Sequence, residues 1–552
     1  MHESRYIESL DKKVLLAVFA VTMIFLLLRN SGLYPIVFAD EFTYSKFSRL
    51  VPLADSALPN YIYFWIYRIT NICGDGFLSC ARMLNTIFLF STMPLLFAVS
   101  RKFVGSRYSS LFCIVVALGQ VNTYTAYFMP ECMYFMGFWA CTLLMLSADK
   151  DTKIPTWALI GSAWGVSALI KPHTLFLAPA AFIYALYVSE FWVKDRVKLA
   201  FAKSLSIPVF MILTKMAIGY LAAGKSGLTL FGTFYAPYAG SALHKDSHYY
   251  TELLQNSINS AFGHMLALCF LYAVPVAMVV EFWFVSCSRK YAGSVGYSKL
   301  VVYLTIVLLC LVGVTSIFTA SIANVEPANH LHIRYYIFAL PLLVLLPIIN
   351  FNVTNSGASR VARLIIAMPI ICMVAYGAVS GMKPYEVHSS TAPELYSVLG
   401  AGWLFYAVAC MSLVSLIAWA ICGRVGSIMY VFLLTPLLLG VVGYKMNESL
   451  RKSVVPDVYD RAAAFANAYL EKADRQSVIV IGSSASVGGL FRTLYHLDLP
   501  VTEFGIQTAE KEYDLSKLPE GKNWVLVIGD HPLEGDQILT VPGNGFSLTQ
   551  AR

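Results

Sequence analysis

The chain has 552 residues, of which 58% are hydrophobic and only 13% charged, with a mean hydropathy of +0.64. An ordinary soluble domain carries about a quarter of its residues as Asp, Glu, Lys or Arg, so this composition excludes a soluble globular enzyme. The formal net charge of +8 does not mark a nucleic-acid binder, because most Lys and Arg fall in short gaps between apolar runs, where they set orientation.

The first apolar segment, Val14 to Leu28, is followed by no small-residue cleavage site and is read as a retained span. About thirteen helical spans are predicted, each close to the length a bilayer requires. They are residues 13–29, 81–99, 108–124, 131–148, 155–171, 174–192, 205–222, 261–286, 300–320, 336–350, 363–382, 397–422 and 425–444. Every second gap is basic: Lys12 and Lys13, Arg101 and Lys102, Lys150 and Lys153, Lys194 to Lys203, Arg289 to Lys299, Arg360 and Arg363, and Arg424. Cations concentrate on the cytoplasmic side, so the N-terminus is expected in the cytoplasm. The gaps 30–80, 223–260, 321–335 and 383–396 then face outward, as does everything after Lys445. The 11 cysteines contain no CxxC pair and lie mostly in apolar segments, so neither a disulfide framework nor a metal cluster is expected.

The first outward gap, residues 31–80, is long enough to expect a function. It opens with "FADEFTYSKF" (38–47), an acidic pair flanked by aromatics, and continues with "PNYIYFWIYRI" (59–69), which suits a helix lying in the interface. Acids at membrane depth or at its edge are costly and point to function; Asp40 and Glu41 are the leading candidates, the plainer alternative being that Asp40 caps a helix starting at Glu41. Glu131, after Pro130, is a second candidate or simply a charge that opens a helix. Cations reach the same face. Lys171, with His173 beside it, closes the fifth span, and Lys215 lies in the outer half of the seventh, where snorkelling is the alternative. The stretch "EPANHLHIRYYIFALP" (326–341) gathers His330, His332, Arg334 and Tyr335. Arg334 is a good phosphate fork or else an interface anchor. The two histidines at i and i+2 suggest a metal, but no third ligand is evident in the sequence.

From about Pro456 the chain reads as a small α/β unit. "SVIVIG" (477–482) and "WVLVIGD" (524–530) are β-branched runs suited to buried strands, and "YDRAAAFANAYLEKA" (459–473) has helical period and helix-favouring alanines. "VIGSSASVGGLF" (480–491) lacks the patterns of a nucleotide-phosphate loop and reads as a tight strand-to-helix turn. No repeat with a period of roughly twenty to fifty residues is present.

Two carboxylates and several cations converging on the outer face suit a phosphate-bearing substrate and an attacking hydroxyl whose proton a carboxylate takes. In order along the chain, Asp40-Glu41 followed by Tyr44, "LPNYIYFWIYRI", the Arg-led "CARMLNTIFLFSTMPLLFAVSRKFVGSR", "GSAWGVSALIKPHTLFLAPAA" with its Lys-Pro join, and "HIRYYIFALP" resemble the GT-C superfamily of membrane glycosyltransferases. The branch most resembled holds the protein O-mannosyltransferases and the bacterial aminoarabinose-to-lipid-A transferases. The chain departs from that pattern at Glu131, where the family has a second Asp.

The resemblance implies an all-α polytopic GT-C domain over 1–444 and a small outward α/β domain over 445–552, serving as a lid or acceptor-recognition module. It implies an inverting hexosyl or pentosyl transferase that uses a polyprenyl-monophosphate sugar and an acceptor hydroxyl on an envelope glycan, lipid or protein. Asp40 would be the general base, Glu41 its helper, and Glu131 would orient acceptor or sugar. Lys171, Lys215, Arg334 and Tyr335 would hold the donor phosphate; Tyr44, His173, His330 and His332 would touch acceptor or sugar. No cofactor is implied; the superfamily leaves a divalent metal open, and none is expected here. Short loops and the small outward tail favour a bacterial inner membrane. A transporter or flippase, or a polymerase of lipid-linked glycans, is the rival reading.

Overall fold

In the computed structural model the described residues are 2–233, 247–287, 295–323, 326–352, 359–471, 474–483, 487–498, 506–508 and 512–551. Parts of 223–260, the basic residues Arg289 and Lys290, and part of the Gly/Ser turn 480–491 lie outside them.

All thirteen expected ranges fall on helix, but the helices do not make thirteen uniform spans. Seven helices among the described residues are long and apolar enough to cross a bilayer, and an eighth is added if Ser106–Leu118 and Gln120–Ala126, bent by 45°, count as one. The expected tenth span contains Pro341–Ile349, an α-helix of only 9 residues. Its apolar run is real, yet Leu342 to Leu346 are buried against other helices. Hydropathy alone therefore reads a buried core helix and a lipid-facing one alike.

Small residues set one close helix contact. Gly161 and Gly165, at GxxxG spacing on Ile154–Ala168, face the backbone of Ile207 and Met211 on Val197–Ala223, where a Cβ would have no room. Such spacing lets membrane helices approach through their backbones. The first of these helices ends because Pro172 disfavours helical geometry at the residue before it: Lys171 is extended (φ −146°, ψ 120°) and starts the turn Pro172–Leu177.

The stretch expected to form an interfacial helix, 59–69, contains a short helix, Tyr61–Tyr67. It buries Tyr61, Tyr63, Phe64 and Tyr67 and exposes Trp65. Cys73 and Cys80 form a disulfide in this region, against the expectation of none. The two cysteines lie 7 residues apart, and neither belongs to a CxxC pair.

The tail is the expected α/β unit. Its strands are β1 (Val478–Gly482), β2 (Ile506–Thr508), β3 (Tyr513–Asp514), β4 (Trp524–Ile528), β5 (Leu533–Glu534), β6 (Gln537–Pro542) and β7 (Phe546–Ala551). The main sheet has the order β2-β1-β4-β7-β6. β1 pairs in parallel with β2 and β4, while β7 runs antiparallel to β4 and β6. β1 and β4 are buried throughout, as their β-branched sequences require. β6 and β7 were not legible because β6 is an exposed strand without a buried alternation.

The tail docks on the gap that carries Asp40. Helix Val487–Leu497 packs on helix Phe38–Arg49, with Phe42 and Phe491 rings 5.7 Å apart. Both Nη atoms of Arg49 donate to the Asp498 carboxylate at 2.8 Å. The tail and residues 31–80 therefore share one side of the molecule.

Candidate active site

Between these elements lies a cavity of about 480 Å³. Asp40, Tyr44, Glu131, Lys171, His173, His330, His332, Arg334 and Tyr335 all line it. Of the residues singled out in the sequence, only Glu41 and Lys215 are not in its wall.

Helix Phe38–Arg49 splits the acidic pair. The helix starts two residues before Asp40, with Val37 as its N-cap and no side-chain cap, so Asp40 does not cap it. Neighbouring helical residues point about 100° apart. Asp40 turns into the cavity, where its Oδ2 accepts from Arg334 Nη1 at 2.7 Å. Glu41 is fully buried: its Oε2 accepts from the backbone N–H of Ile36 and Val37 at 2.6 and 2.8 Å, and its Oε1 from Phe128 N–H at 2.8 Å. Glu41 thus ties the helix start to the turn before Glu131. A carboxylate in the first turn also faces the positive end of the helix dipole.

Glu131 opens helix Glu131–Ser147 behind Pro130. Its Oε1 meets Lys171 Nζ at 2.9 Å, with both side chains at most 5% exposed. Its Oε2 has no hydrogen-bond partner among the described residues. Tyr335 joins the two pairs: its ring lies 5.5 Å from Lys171 Nζ and 5.3 Å from the Arg334 guanidinium, and it stacks on His173 at 4.5 Å. A cation over an aromatic face is attracted by the ring's quadrupole.

Lys215 is also buried, but its ammonium contacts the carbonyls of Gly227 and Thr229. The expected phosphate role has no geometric support in this arrangement: the side chain holds the turn after its own helix.

The segment that bears Arg334 is held by residues 383–396. Leu331 N–H donates to Glu386 O at 3.0 Å, Glu386 N–H to Asn329 O at 3.2 Å, and Arg334 N–H to Thr391 O at 2.7 Å. This pairing brings His388, Ser390 and Thr391 into the cavity wall, and the tail contributes Phe491. None of these was singled out in the sequence, since pairing between distant gaps leaves no local periodicity. Glu326 also reaches the wall, 3.0 Å from His332 and 3.4 Å from His330. These two imidazoles hold the Glu326 carboxyl below the usual carboxylate range, while burial pushes His332 down, which Glu326 only partly offsets.

The arrangement can accept a proton at Asp40, place cationic Lys171 and Arg334 against an anion, and offer Glu131 Oε2 to a hydroxyl. Comparison with known proteins bears on this. The family model of dolichyl-phosphate-mannose-protein mannosyltransferases matches residues 59–216, a stretch that includes Glu131 and Lys171. No curated protein matches the chain. Among solved structures the chain is similar to ArnT from Cupriavidus metallidurans bound to undecaprenyl phosphate (TM-score 0.49, 12% identity, 98% of this chain and 97% of that one covered). It is also similar to the oligosaccharyltransferase AglB from Archaeoglobus fulgidus in complex with an inhibitory peptide and a dolichol-phosphate (TM-score 0.41, 11% identity, 94% and 69% covered). At these values the structural likenesses carry no argument. Over residues 59–216 the chain is therefore similar to the dolichyl-phosphate-mannose-protein mannosyltransferases.

Proposed function

We propose that this protein moves a sugar from a polyprenyl-monophosphate donor to an acceptor hydroxyl at the outer face of a bacterial inner membrane, with inversion. One observation carries the reading: a single cavity holds two carboxylate–cation pairs, Asp40–Arg334 and Glu131–Lys171, each with unused hydrogen-bonding capacity. The matched family's description names a polyprenyl-phosphate sugar, which is the kind of donor this electrostatic pattern suits.

The acceptor oxygen attacks the anomeric carbon and its proton passes to Asp40. The bond from that carbon to the phosphate oxygen breaks, and its electron pair leaves with the phosphate. Lys171 and Arg334 offset the charge gained there, the kind of fixed stabilisation that acts most strongly away from water. Arg334 uses Nη1 for Asp40, while its Nε has no hydrogen-bond partner among the described residues; a guanidinium has five donors, so it can serve both anions. Glu131 Oε2 orients a hydroxyl of sugar or acceptor. Phe491, on the tail helix, supports an acceptor-recognition role for the tail. The Cys73–Cys80 disulfide supports an oxidising, outward location for the gap that holds it.

The test is turnover of a panel of polyprenyl-phosphate sugars by purified protein, with water or candidate hydroxyl acceptors, in wild type and Asp40→Asn. Loss of transfer by orders of magnitude with donor binding intact supports the reading. Donor binding without turnover for any acceptor in the wild type points to transport instead.

A further inference from the structure

A second, smaller cavity of about 50 Å³ lies among the helices. Ile337, three residues after Arg334, and Glu394, three residues after Thr391, belong to its wall. The rest of the wall is mainly aliphatic and contains no Lys, Arg or His. Glu394 is only 9% exposed, and an acid buried in an apolar helical core is costly unless something answers its charge. Asp40 and Glu131 each have a cation; Glu394 has none in this wall.

Its neighbours are polar but neutral. Glu394 Oε2 accepts from the Tyr272 hydroxyl at 2.6 Å and from Gln120 Nε2 at 2.7 Å, and the same Nε2 donates to the Tyr272 oxygen at 3.0 Å. Two donors on one oxygen favour the ionised carboxylate. These contacts engage both amide hydrogens of Gln120 and the single hydroxyl hydrogen of Tyr272, so what the three side chains still offer is acceptors. Gln120 Oε1 has no hydrogen-bond partner among the described residues, although Gln120 is 8% exposed. Buried polar atoms are ordinarily paired. Thr435, also in the wall, gives its hydroxyl proton to Tyr430 O at 2.9 Å and keeps the oxygen's lone pairs.

The backbone adds charge of the same sign. Helix Ser106–Leu118 stops at extended Gly119 (ψ 179°), and Val115, Val116 and Gly119 line the cavity. The last carbonyls of a helix carry partial negative charge. The helix Ser247–Cys287 is itself broken at Tyr272 (φ −127°, ψ 36°). Broken helices that bring a C-terminal end and unwound backbone to a polar side chain inside a membrane protein are arranged to hold a cation.

We propose that this cavity binds one monovalent alkali cation, sodium or potassium, at Glu394, Gln120 and Thr435. The available ligands are all oxygens, which suit a hard ion and not one of the zinc class. One carboxylate balances one positive charge, whereas a divalent ion would keep an uncompensated charge in apolar surroundings. The small volume suits a bare ion rather than a lipid headgroup. Because Arg334 N–H donates to Thr391 O at 2.7 Å, the ion would brace the two segments that meet at the larger cavity. The inference goes beyond sugar transfer and does not depend on it, since its test reads bound ion and stability and not turnover.

Full-length protein in detergent would be exchanged into choline chloride and titrated with sodium, potassium and magnesium chlorides at constant ionic strength while Tm is followed. The alkali ion that raises Tm would then be counted by equilibrium dialysis with a radiolabelled form. A saturable rise in Tm that choline and magnesium do not give, with close to one ion per chain, is expected. Glu394→Gln should abolish the ion-dependent rise. Glu448→Gln, at an exposed contact with Lys445 on the helix that carries Thr435, should leave it unchanged. If Glu394→Gln fails to fold, Thr435→Val removes one ligand oxygen at nearly constant volume and should weaken ion binding by about tenfold. A wild type whose Tm follows neither alkali ion at constant ionic strength, or an ion response unchanged in Glu394→Gln or in Thr435→Val, would overturn the proposal.

Discussion

The molecule buries acid–base pairs in two places and finishes them differently. In the tail, Asp460 is 2% exposed and every side of it is met. Arg492 donates to both its oxygens through Nε and Nη2, Asp457 N–H donates to Oδ2 at 2.9 Å, and His496 Nε2 lies 2.9 Å from Oδ1. Arg492 also reaches Asp457 at 3.1 Å, and Asp457 and Asp460 complete a capping box on helix Val458–Tyr469. In the cavity, Asp40–Arg334 and Glu131–Lys171 are single contacts that leave Glu131 Oε2 and Arg334 Nε unpartnered among the described residues. A closed network fixes a fold, and a half-finished one beside a cavity awaits a ligand. Burial and charge alone do not separate these cases; the remaining hydrogen-bonding capacity does.

That contrast breaks most sharply at Asp40. Asp40→Asn should lower sugar transfer by about 10²–10⁴-fold, the usual contribution of a general base, with Tm unchanged, because Asp40 does not cap its helix; an equal loss of stability would make it a structural residue like Asp460. Next, Lys171→Met alone should destabilise the transmembrane part by about 3–5 kcal/mol by stranding Glu131. Adding Glu131→Gln should restore most of the stability and none of the activity. Thermal unfolding and turnover of the single and double variants decide this.

The tail offers a pH test. Burial alone would raise the Asp460 carboxyl, but hydrogen bonds from His496 and Arg492 outweigh it and hold it below the ordinary value. A carboxyl lowered on folding contributes stability that is complete above its unfolded value of about 3.9 and is lost as pH falls through the folded value. Limited proteolysis should therefore release the tail below about pH 4, and Asp460→Asn should abolish that dependence. The smallest effect is expected at Lys215→Met: donor affinity within about twofold of wild type, since a contact absent from the site contributes nothing to binding, with the turn at Gly227 loosened in hydrogen exchange.

The cavity was largely legible because charges are conspicuous in an apolar chain and cost too much to be incidental. The reading erred where it treated neighbours in sequence as neighbours in space. Asp40 and Glu41 were one acidic pair on paper, but a helical step sends one to the cavity and the other to three backbone amides. Glu326 carries no such signal, because its approach to His332 depends on a turn rather than a period. The tail's inner strands announced themselves through Val and Ile, whereas β6, with Leu539 41% exposed, had no such signal. The expected tenth span meets a related ambiguity at Pro341–Ile349: apolarity reports burial, and both lipid and protein bury.

The fork from Arg49 to Asp498 joins the last turn of the helix that carries Asp40 to the end of the tail helix that carries Phe491. The helix that carries Asp40 and the tail are therefore one exchangeable unit. A chimera that brings in another tail to change acceptor choice must move residues 38–49 and 487–498 together, because either helix alone would meet a foreign partner with its arginine or its aspartate unmatched.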